Sequence, residues 1–375
     1  MKVLHIIENL NVGAVENWLV RVTQEASRIR PGIKWTFYCT LGIPGKLDAD
    51  VRQYGCEIIY SPCPLNEKSK FFIHLRRELK RGGYDILHCH HDLLSAFYLA
   101  ASIGVKIHRR IVHVHNTDEA LPTSSRIKYK MLAEPMRQLC LKRSDHIAGI
   151  SEHVLRKFVR GAGPKPGRDV VVYYGLDVQR FANPKTDPST LRLSLGLPAD
   201  SKILLFLGRM NELKNPCFVV EVLKHVTGEM PNTVAVFAGT GPLESEVQRM
   251  SLELGLEKRV RVLGWRDDSV SLLHAADVFV FPRLEEPKEG LGLVVVEAQA
   301  TGLPMITSHG ILDDAIVIPD LVQRLPLSLG PQAWAQAVVG ILKKASRNRE
   351  MALQTVALSR FSLQNSARTL LTLYE

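Results

Sequence analysis

Several well-known signatures are missing from this sequence of 375 residues. It holds no run of about 18 apolar residues, the length that a membrane-spanning helix needs. It also lacks the Gly-x-x-x-x-Gly-Lys-Ser/Thr loop of the P-loop ATPases, the His-Glu-x-x-His of zinc proteases and the Gly-x-Ser-x-Gly of α/β-hydrolases. We therefore expect no membrane-spanning helix, and three large classes of hydrolase lose their main support.

Cysteines are few and scattered. They are Cys39, Cys56, Cys63, Cys89, Cys140 and Cys217. Because no Cys-x-x-Cys pair occurs, the pattern predicts reduced thiols in a cytoplasmic protein, and neither a disulfide framework nor a zinc site. The N-terminal segment meets Glu8 too early for a signal peptide, which agrees with that location.

Positive charge is in excess in the first half of the chain. Residues 1–180 carry a net charge of +11, whereas the remainder carries −1. Nucleic acid, an anionic membrane surface or an anionic acceptor would each explain the excess. No recognition motif or aromatic ladder supports nucleic acid, so no nucleic-acid partner is predicted.

Short apolar runs alternate with helical stretches along the whole chain, which predicts parallel α/β sheets in two domains. The expected strands are 3–7, 35–40, 57–60, 85–88, 110–115, 146–150 and 170–173, then 203–207, 233–238, 260–263, 278–281, 304–307 and 315–318. The Pro-containing segment 182–189 reads as a linker, so the domains are expected to span 1–182 and 183–360. A final helix is expected over 361–374.

The stretch from residue 277 to residue 304 combines a buried strand, a polar loop and a helix. Gly290 and Gly292 allow the backbone to turn sharply and to approach a ligand closely. The following helix is expected to end at Gly302, with Pro304 beyond it. A helix that begins behind glycines presents free N–H groups and a positive dipole end, which suits phosphate.

Two carboxylates, Glu289 and Glu297, flank that helix start and can face one ligand. Carboxylates accept hydrogen bonds from sugar and ribose hydroxyls. Earlier in the chain, the segment 208–215 directly follows an apolar strand and presents Arg209 and Lys214. A planar guanidinium and a compact ammonium together suit a diphosphate. Glycine turns also end the next two strands, at Gly239 and Gly264.

Histidines cluster in the first half, at His88, His90, His91, His113 and His115. Strand alternation places His88 with His90, and His113 with His115, on common faces. Such pairs can ligate a metal, but no Cys, Asp or Glu cluster completes a site. The sequence therefore predicts no metal, and an ordinary strand-end histidine remains an alternative for each position.

Together these motifs resemble the signature of the retaining GT-B glycosyltransferases of family four. The shared elements are a strand ending at Pro282, Glu289-Gly290-x-Gly292, Glu297, Gly302 and Pro304. The loop 284–288 is longer here than the family's Ser-containing turn, and Ala14 stands where the family has a second glycine beside Gly13. The resemblance implies two doubly wound Rossmann-like domains that face each other across a cleft, with the C-terminal helix returning to the first domain.

The resemblance also implies a function: transfer of a sugar from a nucleoside-diphosphate donor to a saccharide or lipid-linked acceptor, with retention and without a metal or other cofactor. The second domain would hold the donor and the first the acceptor. Expected donor-binding residues are Gly13, Gly208, Arg209, Lys214, Gly264, Glu289, Gly290, Leu291, Gly292, Leu293, Val294 and Glu297. Expected catalytic residues are Glu289, His115, Arg209 and Lys214. A sugar-nucleotide epimerase on the same fold and a non-catalytic sugar-nucleotide-binding protein remain alternatives.

A basic amphipathic helix is expected over residues 68–81. Its apolar positions Phe71, Phe72, Leu75 and Leu79 fall on one side, and six basic residues flank them. Such a helix can lie on an anionic bilayer, which would give a peripheral protein at the inner face of the membrane. Alternatively, the stripe packs on the sheet while the charges are solvated.

Overall fold

The chain folds into two compact units, here described from a computed structural model. The structure describes residues 1–11, 13–116, 126–161, 163–198, 200–344 and 347–375, with the side chains of 126–130 left aside. Unit 1 comprises Met1–Leu176 and Arg360–Glu375, and unit 2 comprises Asp177–Ser359. The chain thus changes unit six residues before the expected boundary at 182, and returns to unit 1 at Arg360.

Unit 1 contains a seven-stranded sheet in the order β3-β2-β1-β4-β5-β6-β7, in which all pairs are parallel. Its strands are β1 (Lys2–Ile7), β2 (Lys34–Cys39), β3 (Glu57–Tyr60), β4 (Ile86–Cys89), β5 (Arg109–Val114), β6 (His146–Gly149) and β7 (Asp169–Val171). Strands β1, β2 and β4 are buried on both faces, which explains their nearly continuous apolar sequences.

Helices cover both faces of this sheet, as parallel connections require. They are α1 (Ala14–Ile29), α2 (Asp48–Gln53), α3 (Lys68–Gly82), α4 (Ser95–Ala101), α5 (Arg126–Arg143) and α6 (Glu152–Val159). The last helix of the chain, α14 (Leu363–Thr372), packs on α1 through the buried Ala367, Leu370 and Leu371. The indole of Trp18 donates to Ser366 Oγ, which donates in turn to the carbonyl of Tyr173, so polar contacts also fix the returning helix.

Unit 2 contains a six-stranded parallel sheet in the order β10-β9-β8-β11-β12-β13. Its strands are β8 (Lys202–Leu207), β9 (Thr233–Ala238), β10 (Val260–Val262), β11 (Val278–Phe281), β12 (Met305–Thr307) and β13 (Val322–Arg324). The strand expected over 315–318 is wrong: Asp313–Ala315 forms a 3₁₀ turn, and the sixth strand follows at Val322. Gln323 and Arg324 give this edge strand a polar sequence without an apolar run.

The helices of unit 2 complete the doubly wound arrangement. They are α7 (Pro188–Ser194), α8 (Pro216–Glu229), α9 (Glu244–Glu253), α10 (Ser269–Ala275), α11 (Leu293–Ala300), α12 (Gly330–Lys344) and α13 (Arg349–Leu358). The predicted class, α/β with two parallel sheets, is confirmed. Within the described ranges, no helix combines the length and the apolar character needed to cross a bilayer.

Candidate active site

Three loops at the carboxyl end of the unit 2 sheet are joined by backbone hydrogen bonds. Gly208 follows β8, Gly239 follows β9 and Gly264 follows β10, all three at φ between 65° and 154°. Gly239 N donates to the carbonyl of Gly264 at 2.7 Å, and a Cβ on Gly239 would lie 2.0 Å from Gly208 O. Glycine at these strand ends therefore allows the three loops to approach one another at the carboxyl end of the sheet.

Lys214 projects from the loop after β8 on a short 3₁₀ turn, Glu212–Lys214. Asn211 caps this turn, because its side-chain oxygen accepts from Lys214 N at 3.0 Å. The ammonium forms an ion pair with Glu289 and lies 5.0 Å from the centre of the Phe281 ring. Both partners of the ion pair have side chains only 19% exposed, so solvent screens the pair weakly.

Arg283 is the second cation on Glu289 and is the residue that the sequence prediction missed. Its guanidinium is nearly buried, with a side chain 5% exposed, and its Nε lies 2.5 Å from Glu289 Oε2. It also donates to the carbonyls of Leu284 and Pro287, so the loop 284–288 wraps around it. An arginine two residues after the apolar β11 was the available signal, since a cation there needs a buried partner.

The charges of this cluster shift one another's protonation. Burial raises the pKa of Glu289, but the charges of Lys214 and Arg283 outweigh it, and the net pKa lies below its ordinary value of 4.5. Burial, assisted by the charge of Arg283, lowers the pKa of Lys214 despite the opposing effect of Glu289. Glu289 is therefore a carboxylate at neutral pH, held between two cations.

The helix α11 begins directly beside this cluster. Gly292 is its N-cap at φ 76°, and a Cβ there would lie 3.4 Å from Glu289 Cγ. Leu293 and Val294 supply the first N–H groups of the helix, and Gly290 and Leu291 complete the loop before it. The predicted helix and its end at Gly302 are confirmed.

Glu297 lies half-buried on the second turn of α11. The fully buried Gln299 fixes that helix: its amide donates to the carbonyls of Val295 and Ala315, and its oxygen accepts from Val317 N and Ile318 N. Gln299 thereby ties α11, which carries Glu297, to the segment 315–318.

Arg209 and Trp265 are two exposed side chains among these strand-end loops. Arg209 follows Gly208 directly, and within the described part of the chain it has no ion-pair partner. Trp265 follows Gly264 and is 66% exposed, whereas the neighbouring Arg266 is held by Asp268 at 2.8 and 2.6 Å. A guanidinium and an indole are thus both accessible to a ligand at this edge.

Two predicted residues, Gly13 and His115, lie in unit 1. Gly13 is the N-cap of α1, and its carbonyl accepts from Asn17 N and Asn17 Nδ2. His115 is only 6% exposed; its Nε2 contacts Nδ1 of His90, and its Nδ1 contacts the hydroxyl of Tyr174. Asn116 and the His115 backbone both bind Asp92, and Thr117 lies outside the described residues.

His115 belongs to a larger group of buried histidines than the sequence indicated, because His5 joins it from β1. One hydrogen-bonded series runs from His5 through His90 and His115 to Tyr174, at 2.9, 3.0 and 2.5 Å. A second runs from His113 through His88 to Tyr374, at 3.2 and 2.9 Å. Burial lowers the pKa of His5 and of His115 to about 3, so these rings are neutral.

Two parallel Rossmann-like sheets, with cations and a helix start at the carboxyl end of one of them, place the protein in the class of doubly wound α/β proteins, which bind ligands at that end of the sheet. Comparison with known proteins then gives the family. The model of Glycosyltransferase Family 4 matches residues 16–180, and that of Glycosyl transferases group 1 matches residues 189–351. The chain belongs to this glycosyltransferase family, as its motifs predicted.

Curated relatives agree over most of the chain. A UDP-Gal:alpha-D-GlcNAc-diphosphoundecaprenol alpha-1,3-galactosyltransferase of Escherichia coli is 30% identical over 70% of this chain and 67% of its own length. EpsF of Bacillus subtilis is 26% identical over 100% of this chain and 96% of its own. Among solved structures, Anabaena HepE in complex with UDP superposes with a TM-score of 0.78 at 17% identity, covering 99% of this chain and 98% of that one. The GT-B fold and glycosyltransferase activity are thereby established.

Proposed function

We propose that this protein is a retaining glycosyltransferase of polysaccharide or glycolipid biosynthesis that needs no divalent metal at the donor diphosphate. The observation that carries the proposal is the buried Lys214–Glu289–Arg283 cluster beside the start of α11. It provides cations, free N–H groups and a carboxylate at one edge of one sheet. Those are the groups that a departing nucleoside diphosphate and an electron-poor sugar require.

The central chemical task is to stabilise the leaving diphosphate. As the bond between the anomeric carbon and the phosphate oxygen breaks, negative charge grows on the phosphate and positive charge grows on the sugar ring. The negative charge on the phosphate would be stabilised by Arg209, Lys214 and the N–H groups after Gly292. The anionic Glu289 would hold the sugar and stabilise the positive charge on its ring. Glu297 would bind the ribose through its hydroxyls.

The donor is proposed to be a UDP-sugar. The E. coli relative is named for UDP-Gal and a diphosphoundecaprenol-linked acceptor, and HepE structures contain UDP and UDP-glucose. A lipid-linked or saccharide acceptor is proposed on the same ground, with its contacts in unit 1. The contact of His115 with the donor sugar stays a prediction. Both of its ring nitrogens have partners in the structure, so a sugar hydroxyl would have to replace His90 or Tyr174.

A donor panel tests the proposed function. Purified protein is incubated with UDP-, GDP- and ADP-sugars, and hydrolysis, transfer and the anomeric configuration of the product are measured by NMR. We expect one UDP-sugar to turn over, the product to keep the donor's configuration, and the rate to be unchanged without added Mg²⁺ or Mn²⁺. Inverted product would refute retention. Interconversion of the donor sugar without acceptor would instead indicate an epimerase, and binding without turnover a non-catalytic protein.

The surface of α3 bears on the proposed acceptor. Of the two alternatives for its apolar stripe, the structure has the one in which the stripe packs inside unit 1, because Phe71, Leu75 and Leu79 are buried. Phe72 packs against Phe97 at 5.4 Å between ring centres. The basic side chains of α3 remain exposed to solvent. Arg77, Lys80 and Arg81 lie on one face of the helix, together with Ile73, which is 58% exposed.

We propose that this basic outer face of α3 holds the protein at anionic membranes. Wild type should sediment with anionic liposomes at low salt and be released by added salt, since exposed charges are screened. Changing Arg77, Lys80 and Arg81 together to Glu should abolish sedimentation. Arg76 is left intact, because it donates to the carbonyls of Ala101 and Ile103 and so fixes α4.

The matched control makes the same change of charge on the exposed Lys224, Lys258 and Lys344 of unit 2. This variant should sediment like wild type. If both triple variants lose liposome binding equally, the binding depends on the net charge of the protein and not on the basic face of α3. If wild type ignores anionic liposomes at low salt, the membrane proposal is refuted and the positive charge of unit 1 needs another explanation.

A further inference from the structure

The buried histidines of unit 1 lie closer together than ordinary core residues require. His90 follows β4, His113 lies in β5 and His115 follows β5, and one ring nitrogen from each lies within 4.8 Å of the other two. His113 and His115 are two residues apart, so strand alternation points both to the face of the sheet that His90 occupies. All three side chains are buried.

One nitrogen in this group has no partner. Within the described residues, His113 Nε2 is buried and makes no hydrogen bond. Leaving such an atom unsatisfied costs about 1–3 kcal/mol. His90 Nδ1 and His115 Nε2 face each other at 3.0 Å, close to the spacing of about 3.3 Å between nitrogens that share a tetrahedral zinc ion.

The opposite nitrogen of each ring is already held by another side chain. His115 Nδ1 contacts Tyr174 Oη at 2.5 Å, His90 Nε2 contacts His5 Nδ1 at 2.9 Å, and His113 Nδ1 contacts His88 Nε2 at 3.2 Å. If these nitrogens carry the protons, each ring donates outward and presents a lone pair inward. That is the pattern of metal-ligating histidines, whose second N–H is fixed by an outer partner.

We propose that His90, His113 and His115 bind one divalent transition-metal ion of the zinc type in unit 1. Three neutral imidazoles are a known zinc donor set, which leaves a fourth position for water or another ligand. The ion would replace only the contact between His90 and His115 and would satisfy His113. It would tie β4 to β5 and, through His113 and His88, connect to the hydrogen bond that holds Tyr374 near the C-terminus.

This site is separate from the donor diphosphate cluster of unit 2 and does not rest on the proposed function. The metal site and the predicted contact of His115 with the donor sugar are alternatives, because a ring with a metal on Nε2 and Tyr174 on Nδ1 has no nitrogen left for the sugar. Because the three side chains are buried, we expect the ion to enter during folding or through slow opening of unit 1.

The test uses the full chain, produced with and without added Zn²⁺, then dialysed and measured for metal content. We expect one equivalent of zinc, a higher unfolding temperature with metal than without, and slow loss to a chelator. Chelated and unfolded protein refolded with Co²⁺ should show the intense visible absorption of tetrahedral cobalt. Metal-free protein in every preparation, with no cobalt spectrum after refolding, would overturn the proposal.

Two variants and a control separate a site from adventitious binding. His113→Asn removes a ligand and should lower zinc affinity at least about 10²-fold, and His88→Gln removes an outer partner and should lower it about 10-fold to 10²-fold. His91→Asn is the matched control, because His91 contacts Tyr98 and lies outside the cluster. Zinc bound equally by wild type and His113→Asn would refute the site. If His113→Asn does not fold, His88→Gln and the wild-type cobalt spectrum decide.

Discussion

Replacing Lys214 with alanine is expected to lower the turnover of sugar transfer at least about 10²-fold, and Arg209→Ala is expected to do the same. The two cations project from one loop at the carboxyl end of β8, where the diphosphate charge would develop. Lys214 is half-buried, so its charge acts through little solvent. The loss should fall mainly on kcat, because each cation stabilises the diphosphate most strongly in the transition state, when the bond to phosphate breaks.

The structure also explains why Lys214→Ala should still fold. Glu289 keeps Arg283 as its ion-pair partner when the ammonium is removed. Lys224→Ala is the matched control, since Lys224 is an exposed lysine on α8 of the same unit. Its rate should equal that of wild type. Near-normal rates in both Lys214→Ala and Arg209→Ala would show that the diphosphate binds elsewhere.

Glu289→Gln is expected to lower transfer by more than about 10²-fold while leaving the affinity for free nucleotide within a few-fold of wild type. The amide keeps the size of the side chain but removes the negative charge that would hold the sugar. Lys214 and the N–H groups after Gly292 remain for the diphosphate. Titration of UDP by calorimetry and single-turnover transfer together measure the two effects.

Glu297→Ala should give the opposite pattern, because its proposed partner is the ribose of the nucleotide. We expect weaker UDP binding and a smaller change in the rate at saturating donor. If Glu289→Gln weakens nucleotide binding and Glu297→Ala spares it, the proposed division between the two carboxylates is refuted.

Glu289→Gln also has a predicted effect on stability. The substitution leaves Lys214 and Arg283 without their carboxylate partner. Removing one partner of a buried ion pair costs about 3 kcal/mol of unfolding free energy. The pKa of Glu289 is lower in the folded protein than its unfolded value of 4.5. The ionised Glu289 therefore contributes fully to the free energy of unfolding above pH 4.5, and this contribution is lost as the pH falls through the folded pKa. The difference in unfolding free energy between wild type and Glu289→Gln should therefore narrow below about pH 4.5.

Much of the donor site could be predicted from local sequence. In a parallel sheet every strand ends at the same edge, so a motif that follows an apolar run is placed there before any packing is known. This brought Gly208, Gly239 and Gly264 to one edge, and the structure joins their loops through hydrogen bonds. The helix after Gly292 was equally predictable, because glycines and a proline mark its ends.

Other features depended on packing between distant segments. The inner face of α3 was ambiguous, since a Phe and Leu stripe suits a sheet and a bilayer equally, and only the tertiary structure shows Phe71 and Leu75 buried. The edge strand β13 was placed wrongly, because an edge position tolerates the polar Gln323 and removes the apolar signal.

The sequence by itself determined the alternation of strands and helices, the family and the positions of the charged residues along the chain, because each is a property of short segments. Only the tertiary structure decided which charges meet. Arg283 reaches Glu289 because a loop of five residues folds back around its guanidinium. His5 joins His90, 85 residues away, because β1 pairs with β4. Hydrogen bonds and ion pairs act over a few ångströms, so such clusters exist only where the fold brings separate strands and loops together.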